Sequence, residues 1–243
     1  MRILLLADIH ANLVALETVL SHAPGYDAVW CLGDIVGYGP APNECVERVR
    51  GLNPLLITGN HDQAVLGNVP LKEFSEDARR ALEWTINAIR PENRDWLANA
   101  VPKQILTEYD LTLVHASPRA PIWEYIQNAQ IALENFPFFD TSFCLFGHTH
   151  RPIAYRFRAA DRILSTNYLP EQEPYLLQPK LLLNPGSVGQ PRDGDPRAAY
   201  AILDLDSKLL TYHRIEYDVA ATQRAILDAK LPYRLAARLA VGA

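Results

Sequence analysis

Short apolar runs alternate with amphipathic segments along the first hundred residues. A continuous apolar run of 4–8 residues is typical of a buried strand, whereas apolar positions repeated every three to four residues indicate a helix. The pattern predicts strands at 2–7, 28–32 and 54–58, and helices that start after Asn12 and cover 42–49 and 74–90. Asn12 can cap its helix because its side chain can accept a hydrogen bond from a free amide of the first turn.

From about residue 103 the strands follow one another more closely. The runs QILTEY and LTLVHA, with a turn at Asp110, predict a hairpin. A helix near 125–135 precedes the run SFCLF, and further strands are predicted at IAYRFR, KLLLN, AYAILDL and KLLTYHRIEY. We predict a helix at 220–230 and a Pro-rich loop at 165–180. Because no linker or repeat interrupts this order, we expect one domain, 1–243, with two packed sheets and helices outside them.

Polar residues follow five of the predicted strands, each at the carboxyl end. The motifs are DIH (8–10), GDIVG (33–37), GNHD (59–62), His115 and GHTH (147–150). In open α/β sheets the carboxyl ends of the strands line one crevice, so these side chains should converge. In a strand, the two-residue spacing of His148 and His150 would aim both imidazoles at one point. Any one of these residues could instead be a helix cap or a satisfied buried group, but their joint occurrence favours a shared site.

The types of these residues indicate a metal site. Carboxylates, an amide and imidazoles, without a thiolate, suit Mn²⁺, Fe or Zn²⁺. Seven such groups exceed what one ion normally takes from a protein, and they suffice for two ions about 3.5–4 Å apart with a bridging carboxylate. The three cysteines, Cys31, Cys45 and Cys144, lack paired C-x-x-C spacing, and we interpret them as buried hydrophobic residues.

Charge and hydropathy limit the partners. The formal net charge is −5 and the sequence has no long run of Lys or Arg, so binding to nucleic acid is not favoured. No stretch approaches the ~20 apolar residues of a membrane span, and the apolar run at the N-terminus is too short for a signal peptide. We therefore expect a cytoplasmic protein without a membrane partner, and the sequence leaves a homo-oligomer open.

The motif order D-x-H, G-D-x-x-G, G-N-H-D, H and G-H-T-H resembles that of the calcineurin-like metallophosphoesterases. The likeness continues into NPGSVGQPRDGDPRAAYAI, so it covers most of the chain. The resemblance implies an α/β (α+β) fold, a four-layer αββα sandwich of two mixed sheets flanked by helices, around a dinuclear metal site that hydrolyses phosphate esters. It also implies a ligand set of Asp8, His10 and His150 for one ion and Asn60, His115 and His148 for the other, with Asp34 bridging.

The same resemblance gives His61 the place of a catalytic histidine, which contacts the phosphoryl group and can protonate the leaving oxygen. One stretch departs from the protein phosphatases of the family, which carry an Asp-Arg pair in G-D-x-x-D-R-G. Here Gly37 and Tyr38 stand in those positions. The departure argues against protein phosphatase activity and favours the compact prokaryotic branch, which resembles phosphodiesterases and diadenosine-tetraphosphate hydrolases. Asp62 could orient His61 or cap the helix that begins beside it.

Four residues are candidates for contacts with the substrate: Arg192, Tyr38, Asn43 and Arg119. Arg192 follows a Gly/Pro-rich turn and could bind a phosphate oxygen, or it could pair with Asp193 or Asp195. Asn43 could instead be a helix N-cap.

Three classes of function follow. The first is a metal-dependent phosphatase or phosphodiesterase acting on a small phosphorylated molecule, such as a nucleotide or a dinucleoside polyphosphate. The second is a nuclease, which the acidic balance disfavours. The third is a non-catalytic scaffold, a metal-binding or protein-interaction subunit, because some members of the fold have lost ligands. The retention of His61 and of all seven ligand residues favours the enzyme.

Overall fold

The computed structural model describes residues 1–243. Its strands are β1 (Arg2–Leu6), β2 (Ala28–Cys31), β3 (Leu55–Leu56), β4 (Lys103–Leu106), β5 (Leu111–Val114), β6 (Phe143–Leu145), β7 (Ile153–Arg158), β8 (Ile163–Asn167), β9 (Pro174–Leu176), β10 (Leu181–Asn184), β11 (Ala198–Asp204) and β12 (Leu209–Ile215). Its helices are α1 (Leu13–His22), α2 (Pro42–Arg50), α3 (Asn60–Leu66), α4 (Glu76–Ala88), α5 (Pro91–Leu97), α6 (Ala129–Asn135), α7 (Val219–Asp228) and α8 (Tyr233–Ala237).

The strands form two six-stranded sheets. The first has the order β3-β2-β1-β11-β12-β9, and the second has the order β4-β5-β6-β10-β7-β8. In the first sheet β1 is parallel to β2 and antiparallel to β11. In the second, β6 is parallel to both β5 and β10, while β10 is antiparallel to β7. Both sheets are therefore mixed, as expected.

The alternation of side chains along β1 defines the layers. Ile3 and Leu5 point into the core between the two sheets, where they join Leu113, Leu145 and Leu183. Leu4 and Leu6 point the other way, into the core beneath α1 and α2. A strand covered on both faces is a continuous apolar run, which is why RILLL shows no polar alternation. A smaller core packs α6 against the second sheet, and the result is the αββα sandwich.

The predicted loop at 165–180 is wrong in part. Its start belongs to β8, which pairs with β7, and its later half contains β9, which pairs with β12. Both are edge strands. Pro174 is tolerated as the first residue of β9 because an edge strand need not use every amide in the sheet. The third predicted strand shortens to Leu55–Leu56.

Two short helices, α5 and α8, were not predicted, since each is too short to show a clear helical repeat. The predicted hairpin is present as β4 and β5 in antiparallel register. Asn12 caps α1 as expected, with its side chain accepting a hydrogen bond from the Ala15 amide. No helix in the structure is both long enough and apolar enough to cross a membrane.

Candidate metal centre

The loops that follow β1, β2, β3, β5 and β6 meet at one end of the sandwich and bond to one another through the backbone. The amides of Asp8 and His10 donate to the carbonyls of Gly33 and Asp34, at 3.1 and 2.9 Å. The Gly147 amide donates to the His115 carbonyl at 2.7 Å. These bonds join the loops within each sheet, and the His148 amide, which donates to the Asp8 carboxylate at 3.0 Å, joins the loops of the two sheets.

Five of the seven predicted ligands have a left-handed backbone. Their φ angles lie between 49° and 63°, at Asp8, His10, Asp34, His148 and His150. Residues other than glycine rarely adopt this region, and strain of this kind costs about 1–3 kcal/mol per residue and clusters at functional sites. The strained turns direct side chains inward immediately after each strand ends.

This geometry corrects the expected arrangement of His148 and His150. Strand β6 ends at Leu145, so neither histidine lies in a strand. His150 groups with Asp8 and His10, whereas His148 groups with Asp34 and His115. The two imidazoles therefore face two adjoining groups and not one point.

The predicted ligands form two adjoining clusters around Asp34. In the first cluster His150 Nε2 is 3.4 Å from an Asp8 carboxylate oxygen, and His10 Nε2 is 3.1 Å from His150 Nε2. In the second, His115 Nε2 lies 3.2 Å from His148 Nδ1 and 3.3 Å from Asn60 Oδ1.

Asp34 lies between the clusters. Its Oδ2 is 3.6 Å from His10 Nε2 and 3.4 Å from His115 Nε2. One carboxylate oxygen therefore faces a histidine of each cluster. This position is the one that a bridging ligand requires.

Backbone carbonyls fix the orientation of the four histidine rings. The Nδ1 atoms of His10, His115 and His150 lie 3.1, 2.8 and 2.5 Å from carbonyl oxygens, and His148 Nε2 lies 3.2 Å from the Trp123 carbonyl. A carbonyl can only accept, so each of these nitrogens carries the proton and the other nitrogen of a neutral ring carries a lone pair.

His10 faces His150, and His115 faces His148, at 3.1 and 3.2 Å. In the neutral rings of His10 and His150 no hydrogen remains for the contact, so their lone pairs point at one another and this pair needs a cation to be stable. The donor set, two carboxylates, an amide and four imidazoles, fits divalent transition metals.

The pKa values of the four histidines also indicate a site that can bind cations. Burial lowers the pKa of His10, His148 and His150 well below the ordinary value, so these rings are neutral donors. Burial acts in the same direction on His115, but the Asp34 carboxylate reverses it and raises the pKa of His115 to about 9. His115 therefore holds a proton that a bound metal ion would displace.

His61 lies beside the first cluster with a free ring nitrogen. It is buried, its ring is 4.8 Å from that of His10, and its Nδ1 has no hydrogen-bond partner. Burial lowers the pKa of His61 from the ordinary histidine value near 6.5 to about 4. An anionic phosphate that approached the ring would raise the pKa again.

Gly37 stands where the protein phosphatases of the family carry the Asp of the Asp-Arg pair, and it lies against His61. A Cβ at position 37 would lie 2.3 Å from His61 Nδ1, and the residue has a φ of +86°. No side chain fits there while His61 keeps its position. Tyr38 packs against both His10 and His61, with ring centroids 4.6 and 4.4 Å apart.

Asp62 is a capping residue and does not contact the His61 ring. Its carboxylate accepts from the Gly59 amide at 3.1 Å, at the start of α3, and from the amides of Asp34 and Ile35 at 2.8 and 3.0 Å. Asp62 thus holds the loop that carries Asp34. The alternative in which it orients His61 is wrong in this structure.

Arg192 reaches the edge of the site. Its Nη2 donates to the Tyr38 hydroxyl at 3.2 Å, and its own amide donates to the His150 carbonyl at 3.3 Å. The alternative pairing with Asp193 or Asp195 is not formed, because those carboxylates pair with Arg214 and Arg197.

The other two candidates for substrate contacts, Asn43 and Arg119, have side chains that bond to other parts of the protein. Asn43 donates to the Ala88 carbonyl and accepts from the Arg90 amide, both at 2.8 Å. It is not the N-cap of α2, which is Ala41. Arg119 pairs with Glu124 and Glu134. The structure therefore brings Tyr38 and Arg192 to the cluster and occupies the side chains of Asn43 and Arg119 in other contacts.

Three aromatic residues near the site had no motif to reveal them. Tyr125 stacks on His148 with ring centroids 3.7 Å apart, and burial raises its pKa to about 12. Phe74 contacts both His61 and Trp123, each at 5.0 Å. Their only signal in the sequence is aromatic composition in a predicted helix and loop, which is equally typical of a core.

Asn184 supports the GHTH loop from the end of β10. Its amide nitrogen donates to the Gly147 carbonyl and the Thr149 hydroxyl, at 2.5 and 3.0 Å, and its oxygen accepts from the Gly186 amide. The signal for this role was available, since Asn184 begins the stretch NPGSVGQ in which the resemblance continues.

Two adjoining clusters of candidate metal ligands in an αββα sandwich are typical of the metallophosphoesterases. The sequence model of the calcineurin-like phosphoesterase superfamily domain matches residues 1–208, and the chain belongs to that superfamily. A metallophosphoesterase from Sphaerobacter thermophilus is 46% identical, and its structure superposes with a TM-score of 0.90 over 100% of this chain and 99% of that one. A hypothetical protein from Pyrococcus horikoshii OT3 shares the fold, with a TM-score of 0.80 at 20% identity over 100% and 98% of the two chains.

Among curated proteins, an uncharacterized protein of Methanocaldococcus jannaschii is 38% identical over 247 residues, which cover 99% of this chain and 98% of that protein. A symmetrical bis(5'-nucleosyl)-tetraphosphatase of Yersinia enterocolitica is 29% identical over 132 residues. That match spans 52% of this chain and 44% of the relative, so it covers less than half of the relative's length.

Proposed function

We propose that the protein is a dinuclear-metal-dependent hydrolase of phosphate esters, acting on a small phosphorylated molecule. The observation that carries this proposal is the convergence of two imidazole pairs beside Asp34, with His10 and His150 3.1 Å apart, lone pair to lone pair, and His115 and His148 3.2 Å apart. Asp8, His10 and His150 would hold one ion, and Asn60, His115 and His148 the other, with Asp34 shared. Two divalent ions, when bound, would neutralise the phosphate oxygens and activate water for in-line attack.

The chain's own groups would supply the remaining steps. His61 has a free Nδ1 beside the cluster, and an approaching phosphate anion would raise its pKa, so it could then give a proton to the leaving oxygen. Arg192, whose guanidinium lies 5.6 Å from the centre of the Tyr38 ring, would bind a phosphate oxygen. It would thereby supply the guanidinium that the Asp-Arg pair supplies in the protein phosphatases of the family.

The substrate class that fits best is a nucleotide or a dinucleoside polyphosphate. The tetraphosphatase relative supports it, and so do the partly exposed rings of Phe74, Trp123 and Tyr125 at the site, since aromatic faces can stack on a base. The metals we propose are Mn, Fe or Zn. A non-catalytic scaffold is the second candidate, and the free Nδ1 of His61 argues against it because a scaffold has no use for a buried unpaired nitrogen.

The test is hydrolysis of bis(p-nitrophenyl) phosphate and p-nitrophenyl phosphate by protein treated with chelator and then reloaded with Mn²⁺, with metal content measured in parallel. We expect close to two ions per chain and activity that returns with the metal. A protein that binds two ions and hydrolyses neither ester, nor any nucleotide in a panel, would be a scaffold. A protein that binds no metal would refute the ligand assignment as well.

A further inference from the structure

The segment that follows β5 holds the imidazole of His148 at two places, although His148 lies on another loop. The Trp123 carbonyl lies 3.2 Å from Nε2, at the edge of the ring. The Tyr125 ring stacks on the face of the imidazole, with centroids 3.7 Å apart. Glu124 lies between these two residues in the sequence, so the place of its backbone decides where both contacts fall.

The carboxylate of Glu124 accepts hydrogen bonds from three residues. Its Oε2 accepts from the Ser117 hydroxyl at 2.6 Å and from the Asn135 amide at 2.9 Å, and its Oε1 accepts from Arg119 Nε at 3.0 Å. Ser117 and Asn135 are fully buried. Burial acts to raise the pKa of Glu124, but these bonds lower it to about 2, so the carboxylate is charged at neutral pH.

These bonds connect Glu124 to both imidazoles of the second cluster. Ser117 follows His115 by two positions, and its oxygen also accepts from the Ala120 amide at 2.9 Å, so this part of the chain is closed into a turn. Through Ser117, Glu124 is tied to the chain just after one imidazole. Through its own backbone, it is tied to the carbonyl and the ring that hold the other imidazole, that of His148.

The imidazoles of the first cluster are oriented by two other loops. Val36 supplies the carbonyl that faces His10. Gln190 supplies the carbonyl that faces His150. A change at Glu124 should therefore disturb the ligands of one ion and spare those of the other.

We propose that Glu124 is a positioning residue for the second metal ion, the one that Asn60, His115 and His148 would hold. It acts through the two imidazoles and not by contact with the ion. The proposal rests on the assignment of these ligands under the proposed function. Partners that orient metal ligands commonly change metal affinity by about 10-fold to 100-fold.

The charge of Glu124 is needed for this role, and its shape alone does not suffice. A carboxylate can accept from all three donors, whereas an amide has one oxygen and an NH₂ group that only donates. Glutamine at position 124 would point its NH₂ group at either Arg119 or Asn135, and both of these donate in the structure. The segment would then have to shift, and the contacts with His148 would shift with it.

Stepwise binding of Mn²⁺ to chelator-treated protein tests the proposal without turnover. The binding isotherms are measured by calorimetry on wild type, Glu124→Gln and Glu134→Gln. Two reference variants assign the steps, since His10→Ala removes a ligand of the first ion and His148→Ala removes a ligand of the second. Glu134→Gln is a matched control, because Glu134 is exposed and pairs with the same Arg119, at 3.2 Å.

We expect Glu124→Gln to weaken about tenfold the step that is lost in His148→Ala, and to leave the other step unchanged. Glu134→Gln should bind both ions as wild type does. Unchanged isotherms in Glu124→Gln would overturn the proposal. Equal weakening of both steps, with a lower melting temperature, would also overturn it, since Glu124 would then only stabilise the fold.

A second variant keeps the test decisive if Glu124→Gln does not fold. Arg119→Gln removes only the exposed donor, so it should weaken the same step by less, about threefold, and an unchanged step would then refute the role of Glu124. Wild type that binds fewer than two ions would overturn the proposal together with the ligand assignment. Because the isotherms involve no ester, failure of the esterase proposal appears separately, in the ester assay.

Discussion

The metal centre and the cavity beside it are constructed in opposite ways. All seven predicted ligands are at most 2% exposed, and they lie on loops that follow adjacent strands and bond to one another. The adjoining cavity of about 1300 Å³ has five arginines in its wall, at positions 151 to 238. They are partly or fully exposed except for Arg214, and two of them, Arg151 and Arg192, form no ion pair. The centre fixes the direction of each donor atom, whereas the wall supplies charge with less fixed geometry.

This difference predicts different consequences of mutation. Preorganised groups act on the transition state, so their loss should lower kcat. Groups that hold a remote part of the ligand should mainly change affinity. The variants below test whether the boundary between the two regions lies where the structure suggests.

Asp34→Asn should have the largest effect. Its Oδ2 faces a histidine of each cluster, so removal of its charge should weaken both ions at once and deprive His115 of the partner that raises its pKa. We expect metal content to fall well below two ions per chain and turnover to fall by at least about 10⁴-fold, because bound ions contribute several kcal/mol.

The measurement is metal content and kcat for both nitrophenyl esters. Asp95→Asn, an exposed carboxylate on α5 without an ion pair, is the control and should behave as wild type. Two ions and near-normal turnover in Asp34→Asn would show that the carboxylate does not bridge.

His61→Gln should keep its metals and lose turnover selectively. Proton transfer contributes roughly 10²-fold to 10⁴-fold where the leaving alkoxide is basic, whereas a nitrophenolate leaves without that help. We expect kcat to fall by that amount on an alkyl ester and by less on a nitrophenyl ester. Loss of metal in the variant would make His61 a ligand, in line with its position near His10 and Asp34. Equal losses on both esters would leave only an electrostatic role.

Much of the metal centre could be predicted from the sequence because its residues follow continuous apolar strands in a fixed order. DIH after β1 and GHTH after β6 are examples. The left-handed backbone of Asp8, His10 and Asp34 could not be predicted, since hydropathy patterns carry no information on φ for residues other than glycine. The strand geometry expected for His148 and His150 was wrong for the same reason, whereas their assignment to separate ions, implied by the resemblance, agrees with the two clusters.

The cavity wall could not be predicted from local patterns. Arg192 and Arg238, which both line the cavity, are separated by 46 positions along the sequence. The tail that carries Arg238 is held there by the hydrogen bond from the Gly194 amide to the Gly242 carbonyl. Strands β8 and β9 were missed because edge strands tolerate proline and show weak alternation. In both cases long-range contacts decide the structure.

Gly37→Ala should displace the His61 ring without changing any of the predicted metal ligands. The new Cβ would lie 2.3 Å from His61 Nδ1, and the φ of +86° is unfavourable for alanine. The ring must move, and displacement of a catalytic group by about 1 Å can cost up to 10²-fold. We expect kcat on the alkyl ester to fall roughly 10-fold to 100-fold with metals retained. Gly25→Ala is the matched control, because nothing lies within 4 Å of its Cβ. If both alanine variants turn over like wild type, the position of His61 matters less than the structure indicates.

Tyr38→Phe should have the smallest effect, and it tests the contact between the two regions. The ring that packs against His10 and His61 is kept, while the hydroxyl that accepts from Arg192 is lost. A single hydrogen bond of this kind contributes about 0.5–1.5 kcal/mol. We expect KM to rise roughly threefold to tenfold and kcat to change less, since the phenyl ring still supports His61.

A double-mutant cycle with Arg192→Gln decides whether the hydroxyl acts through the guanidinium. If Tyr38 only orients Arg192, its removal should cost nothing further once Arg192 is gone, so the effects on KM should fail to add. Additive effects would mean that the hydroxyl contacts the substrate directly and belongs to the metal centre's own binding surface. Tyr38 would then belong to the metal centre, and the boundary between the metal centre and the cavity wall would lie at Arg192.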